Sequence, residues 1–201
     1  MVHVIPIVEG HGETEAVPVL LRRIKDVLRP DISLNVLSPL RIGRYKLIKA
    51  NEVERAVEFA ARRMEPPRAI LILIDADDDC PAEVGPELLR RAMTARRDVP
   101  VGVVLAKREF EAWFLAALES LCGCRGLLPE LPPVANAEDV RDAKGFLTQL
   151  MKGSRAYSPV VDQPALAARL NMDLARRRSD SFDKLWREAR RLLNTPGSLR
   201  S

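Results

Sequence analysis

Two short acidic stretches hold the residues best suited to chemistry, Val8-Glu9-Gly10-His11-Gly12-Glu13 and Ile74-Asp75-Ala76-Asp77-Asp78-Asp79. The second is the sharper signal. Five apolar residues, Ile70 to Ile74, run directly into four carboxylates within five positions. An apolar run of that length, bounded by turn formers, reads as a strand buried on both faces. Aspartate is a poor strand residue, and several together repel one another unless solvent or a cation screens them. In extended backbone, alternation places Asp75, Asp77 and Asp79 on one side. Such a set of hard oxygens suits Mg2+ or Mn2+. A solvated acidic loop is the simpler reading of the same residues.

Stepping outward from these acids, Val2 to Val8 reads as a central strand ending at Glu9, with Gly10 and Gly12 free to take positive φ in the loop beyond. Val17, Leu20, Leu21, Ile24, Val27 and Leu28 then form the stripe of an amphipathic helix, with Pro18 tolerated in its first turn. Further strands are expected over residues 32–37, 69–74 and 99–105, and helices from about residue 51 to 64 and from Pro86 to Arg96. Strands alternating with helices require a parallel α/β sheet of about four strands with right-handed crossovers. Ligands bind beyond the C-terminal strand ends of such sheets. Glu9 and Asp75 therefore fall on one rim, and they can share a metal or substrate if the first and third strands are neighbours.

Beyond the fourth strand, Lys107-Arg108-Glu109-Phe110-Glu111-Ala112-Trp113-Phe114 opens a helix whose buried stripe is Phe110, Trp113, Phe114, Ala117, Leu118 and Leu121. Glu109 and Glu111 lie in its first turn, where negative charge suits the helix dipole, so they read either as caps or as part of the site. Lys107 closes the same strand end and is placed to face a phosphate. A proline-marked linker over residues 127–133 leads into a helical remainder. The expected division is an α/β part over 1–121 and a linker with a helical C-terminal extension packed on it over 122–201.

The 201-residue chain is 47% hydrophobic and 30% charged, ordinary for a globular protein, with a net charge of +4. Residues 151–201 carry 11 Lys/Arg against 5 Asp/Glu, so the rest of the chain is slightly acidic. Arg41, Arg44 and Lys46 form one basic group, and Arg176, Arg177, Arg178, Arg187 and Arg191 another. A basic surface beside an acidic site suits a polyanion such as nucleic acid, and a solvated helix face is the alternative. Cys80, Cys122 and Cys124 are too few for a four-cysteine zinc site and odd in number for a disulfide framework. With no apolar run of membrane-spanning length and no basic leader at the start, a cytoplasmic location without membrane attachment is expected. Gly10-x-Gly12 lacks the third glycine of a dinucleotide fingerprint, and no Walker A loop precedes Asp75.

Glu9-Gly10 after one strand, followed by Asp75-Ala76-Asp77 after another, resembles the Toprim domain over roughly residues 1–110. That domain is shared by topoisomerases, bacterial primases and the nucleases of the overcoming-lysogenization-defect family. The resemblance implies a three-layer, Rossmann-like parallel sheet with Glu9 as ligand or general base and Asp75 and Asp77 as metal ligands. Glu109 or Glu111 would complete a second ion site, as later acidic motifs do in the lysogenization-defect nucleases. A wider set is similar to a small bacterial family of Toprim-like proteins. It comprises Glu9-Gly10 with Glu13 and Glu15, Glu109-x-Glu111-Ala-Trp, Asp142-Ala-Lys144, Tyr157 and Ser181-Phe182. Members of that family are often encoded beside ABC-type or AAA-type ATPases in defence-like loci. The implied activity is Mg2+- or Mn2+-dependent phosphoryl transfer, as a nuclease or nuclease subunit, with Lys107 stabilising charge on the phosphate. From a different class comes a non-catalytic subunit that binds metal or nucleotide and regulates an ATPase. A receiver-like phosphoacceptor is disfavoured, because the first strand offers only Glu9 where paired acids are needed.

Overall fold

A computed structural model describes residues 1–194. Strands β1 (Val2–Val8), β2 (Leu34–Val36), β3 (Leu40–Arg41), β4 (Arg68–Asp75) and β5 (Val101–Ala106) form one sheet. Every pairing is parallel, in the order β2-β1-β4-β5, with β3 also beside β1. β1 and β4 are central and buried on both faces, as their continuous apolar runs require.

A fifth, short strand appears because the edge is interrupted where Pro6 of β1 stands beside Pro39 of the edge segment, and neither has an N–H to give. The N–H groups of Val2 and His3 point to opposite neighbours, Val2 to Ser33 and His3 to Pro67. By that alternation, the donor missing from Pro6 would face the β2/β3 edge. There the edge strand breaks: Leu37 donates to the Val4 carbonyl, and pairing resumes only when Ile42 donates to the Val8 carbonyl.

In chain order the helices are α1 (Glu13–Leu28), α2 (Arg44–Leu47), α3 (Glu52–Ala61), α4 (Pro81–Ala95), α5 (Ala112–Ala116), α6 (Ala143–Gln149), α7 (Pro159–Arg169), α8 (Met172–Arg178) and α9 (Asp180–Leu193). Helices α3 and α4 cover the sheet face carrying Ile5, Ile7, Ile70, Ile72 and Val103. The opposite face, with Val4, Val8, Leu71, Leu73 and Val104, is covered by α1 and α9, and α7 packs on the far side of α1. The result is a three-layer Rossmann-like arrangement. The helices after residue 122 join the same apolar cluster as α1 and the sheet. Helix α4 begins at Pro81 rather than Pro86, because Pro81 fills the first helical position, where a missing N–H costs little. The helix expected after β5 is short, and Phe110, Trp113, Phe114 and Phe182 form an aromatic knot with ring centroids 4.7–5.6 Å apart. No helix among the described residues is long and apolar enough to cross a membrane.

Gly12 does not use the positive φ expected of it; it is right-handed helical at φ −66. Its lack of a side chain serves close packing instead. A β-carbon there would collide with the Pro159 carbonyl oxygen and the Gln163 side chain at the start of α7. Gly12→Ala should therefore push α1 from α7 and lower unfolding stability by about 1–3 kcal/mol. Urea titration of the variant checks this, and parental stability would contradict the packing described.

Candidate functional site

Val8 of β1 stands opposite Leu73 of β4, so Glu9 and Asp75 leave the sheet at the same C-terminal edge. Asp75 continues the Leu71, Leu73 alternation and faces the α1 layer, where it is 9% exposed. Its Oδ1 accepts a hydrogen bond from the Phe110 backbone N–H at 2.8 Å. The extended alternation expected for the aspartates ends there. Asp77 takes a left-handed conformation (φ 51), which Asp tolerates better than most residues, and donates its N–H to the Arg108 carbonyl. Asp79 N–H then returns to the Ala76 carbonyl and closes the turn. Asp75 therefore points inward while its successors point out. Asp77 lies 3.7 Å from the buried Arg44 guanidinium, Asp79 is bonded to the same group, and Asp78 pairs with Arg108 and Arg141.

Around Asp75 the structure gathers acids from separate segments. Glu13, in the first turn of α1, is 3% exposed and accepts from the Glu9 backbone N–H at 3.0 Å. Glu111 is fully buried, and its Oε1 accepts from Tyr157 Oη at 3.1 Å and Gln163 Nε2 at 2.9 Å. Lys144 Nζ enters from α6, at 2.9 Å from Glu109 Oε2, 3.3 Å from Glu111 Oε2 and 3.9 Å from Asp75 Oδ2. Glu109 Oε1 also accepts from the Ala143 N–H that opens α6.

Burial and mutual repulsion shape the protonation of these groups. Burial pushes Glu13 up to about 7, against the N–H groups of Gly10 and Glu9, with Glu111 and Glu9 adding to the rise. Burial also raises Asp75 well above the carboxylate range, reinforced by Glu13 and Glu111 and opposed by Lys144. Glu111 rises for the same first reason, with Lys144 opposing. Glu9 is raised by burial and by Asp77, against the N–H groups of Arg44 and Asp75. Burial lowers Lys144, but Glu111, Glu109 and Asp75 outweigh it and hold the ammonium firmly charged.

Glu9, Asp75 and Asp77 thus share one edge, and Glu109 and Glu111 lie beside it, held by Lys144. Lys107 turns elsewhere: its ammonium pairs with Asp139 at 3.1 Å, on a cavity of about 590 Å³ lined also by Glu138, Arg177, Arg178 and Asp180. Lys144 is the lysine at the acidic edge. Arg44 is buried in the aspartate turn, which takes it out of the basic surface expected around it, whereas Arg41 and Lys46 are exposed. Among the C-terminal arginines, Arg176 stacks 4.3 Å over Trp186 and bonds Asp183, which Arg187 also bonds. Arg178 pairs with Glu119, and Arg191 with Glu188 and the Val101 carbonyl. Arg177 is exposed on the rim of the Lys107 cavity. Sequence reasoning gave Glu13, Lys144 and Tyr157 no role in the site, although all three belong to the wider motif set. Gln163 carries no signal in the sequence.

Among the described residues, no three His, Cys, Asp or Glu side chains are already arranged to hold a metal ion. The donors nonetheless fit a hard divalent cation in kind, since all are carboxylate oxygens. Two of these oxygens, Glu9 Oε2 and Glu111 Oε2, are buried without a hydrogen bond. Closing on an ion requires side-chain rotation at this edge.

A carboxylate whose folded pKa is raised contributes stability that is complete below its unfolded pKa and is lost as pH rises through the folded value. For Glu13 that window runs from 4.5 to about 7, and Asp75 and Glu111 act in the same direction. In EDTA the parent should lose stability between pH 5 and 8, by about 2–3 kcal/mol through Glu13. Glu13→Gln should flatten that decline. Urea unfolding across this range checks it, and an equal slope in the variant would contradict the burial of Glu13 as a charge.

No curated protein and no solved structure matches the chain. The sequence profile of one family, Domain of unknown function (DUF4276), matches residues 8–189, which run from the end of β1 into α9 and include every acid of the edge together with Lys144, Tyr157 and Gln163. The chain belongs to that family.

Proposed function

We propose that the chain is an Mg2+- or Mn2+-dependent phosphoryl-transfer enzyme of Toprim type, a nuclease or nuclease subunit that works with an ABC-type or AAA-type ATPase. The observation that carries this reading is that Glu9, Asp75 and Asp77 follow β1 and β4 at one sheet edge, with Glu9 Oε2 buried and without a hydrogen bond. Asp75 and Asp77 would hold the ion, which when bound would polarise a phosphate and activate water. Glu9, half-buried and raised above the ordinary range, is suited to take the proton of an attacking water at its free oxygen. Arg41 follows from the same edge, opposite Val8, and supplies an exposed cation for a phosphate. Lys46 and Arg177 extend the basic surface on which a nucleic acid would lie.

Incubation of the purified protein with plasmid or RNA tests the reading, with Mg2+, Mn2+ or EDTA, alone and with an adjacently encoded ATPase. Metal-dependent cleavage is expected, lowered about 100-fold or more by Glu9→Gln or Asp75→Asn. That no three donors are preset for an ion among the described residues favours one other reading, a non-catalytic subunit that regulates the ATPase. Inactivity under every condition, with ATP turnover altered by the protein, would establish that reading instead.

The basic residues separate in a second experiment. Alanine at Arg41, Lys46 and Arg177 should weaken nucleic-acid binding across sequences and flatten its salt dependence by about one unit per lost phosphate contact. Alanine at Arg176, Arg178 or Arg191 should instead lower thermal stability, because those side chains join separate elements, whereas Arg187 pairs only within α9. Unchanged binding in the first set would remove the nucleic-acid surface from the account.

A further inference from the structure

We propose that the open edge of β5 takes an extended peptide segment of a partner protein, in which apolar residues alternate with acidic ones. The proposal does not draw on the acidic edge. β5 ends the sheet on one side, beyond β4. Ile70 donates to the Pro100 carbonyl and Ala76 to the Ala106 carbonyl, so Pro100, Gly102, Val104 and Ala106 face β4. By the alternation of the strand, Val101, Val103, Leu105 and Lys107 turn their backbone groups outward.

Two of these outward groups are taken by α9. Arg191 Nη2 donates to the Val101 carbonyl at 2.6 Å, and Ser181 Oγ accepts from the Lys107 N–H at 3.2 Å. Between them, the N–H and C=O of both Val103 and Leu105 have no partner among the described residues. Val103 and Leu105 line a cavity of about 520 Å³ between α4 and α9. Two donors and two acceptors in strand register along a cavity are the pattern that another extended backbone pairs with.

The walls determine which side chains that backbone should carry. Val103 and Leu105 belong to the sheet face covered by α4, where the cavity is lined by Gly85, Pro86 and Leu89. On the other face Gly102 lies against Glu188 and Leu192 of α9, and there the cavity is lined by Lys184 and Arg187. A strand added beside β5 alternates its side chains between the same two faces, so apolar ones meet α4 and acidic ones meet the α9 cations. Lys184 and Arg187 pair with Glu188 and Asp183 of their own helix and stay 41% and 56% exposed, within reach of a ligand. A second cavity meets the first at Leu89 and carries the groove past Val101. Six cations line the two against three acids, Asp98, Glu138 and Asp180, which favours an acidic occupant. A second copy of the chain does not fit, because its own β5 lies on the floor of the same groove and the two edges cannot meet.

Fluorescence anisotropy with a short labelled peptide alternating valine and glutamate tests this on the intact chain. The parent should bind it. Methylation of two successive central amides, one of which must face β5, should weaken binding about tenfold or more, because a backbone donor is lost. Gly85→Leu, which fills the α4 wall, should weaken it to a similar degree without lowering the melting temperature. A β-carbon there meets Leu105 Cδ1 at an ordinary 3.6 Å, and leucine suits a helix better than glycine. Should that variant fail to fold, Lys184→Glu with Arg187→Glu takes its place. It should release the valine–glutamate peptide and bind one alternating valine and lysine. Equal binding of the methylated peptide, or no binding by the parent at millimolar peptide, would overturn the proposal. Dimerisation of the parent in sedimentation, lost in Gly85→Leu, would give the groove to a second copy and overturn it as well.

Discussion

Carboxylates crowded at the closed end of a sheet must be answered by opposite charge or hydrogen bonds, and that requirement organises much of this molecule. Glu13, Asp75 and Glu111 are all nearly or fully buried at the C-terminal edge of β1 and β4. Left without partners they would repel one another and lose hydration, which no apolar packing nearby could offset. The answers arrive from far along the chain. Lys144 comes from α6, Tyr157 from the segment before α7, and Gln163 from α7 itself. The helical remainder is thereby tied to the acidic edge as well as to the sheet face.

The apolar packing enforces the same connection. Gly12 lets α1 approach Pro159 and Gln163 closely, which carries Glu13 and Gln163 to the same place. The aromatic knot fixes the segment after β5, and its Trp113 indole N–H bonds Ser181 at the start of α9 at 2.8 Å. Ser181 and Ser179 both hydrogen-bond Glu138, so α9 is locked to the loop that precedes α6. Outside this closed region, the left-handed turn at Asp77 presents acids that the arginines 44, 108 and 141 partly neutralise. The edge thus has a buried inner part, at Glu13, Asp75 and Glu111, and an exposed outer part at Asp77 and Asp78.

Much of the fold was legible because its signals are local. The apolar runs at Val2–Val8 and Ile70–Ile74 have the length and β-branched content of buried strands, and the acids that end them fall on one rim by topology alone. The break between β2 and β3 was also present in the sequence, in the proline at position 6, but its meaning depends on which neighbour the absent N–H would face. The site was less legible. Lys107 sits beside a strand end and looked the natural lysine for it, yet its side chain turns to Asp139. Lys144 reaches the edge only because α6 folds back by way of Glu109, a contact between residues 35 apart in the chain. Arg44 reads as a surface cation among other basic residues and becomes a buried partner only once the aspartate turn is formed.

The functional proposal turns on whether Asp75 and Asp77 hold a divalent cation beside Glu9. Crystals grown with Mn2+ and measured at an energy where manganese scatters anomalously test it most directly. An anomalous peak is expected with oxygens of Asp75 and Asp77 at about 2.1 Å and the Glu9 carboxylate beside it. An edge without a peak at saturating Mn2+, or a peak held by other residues, would contradict it.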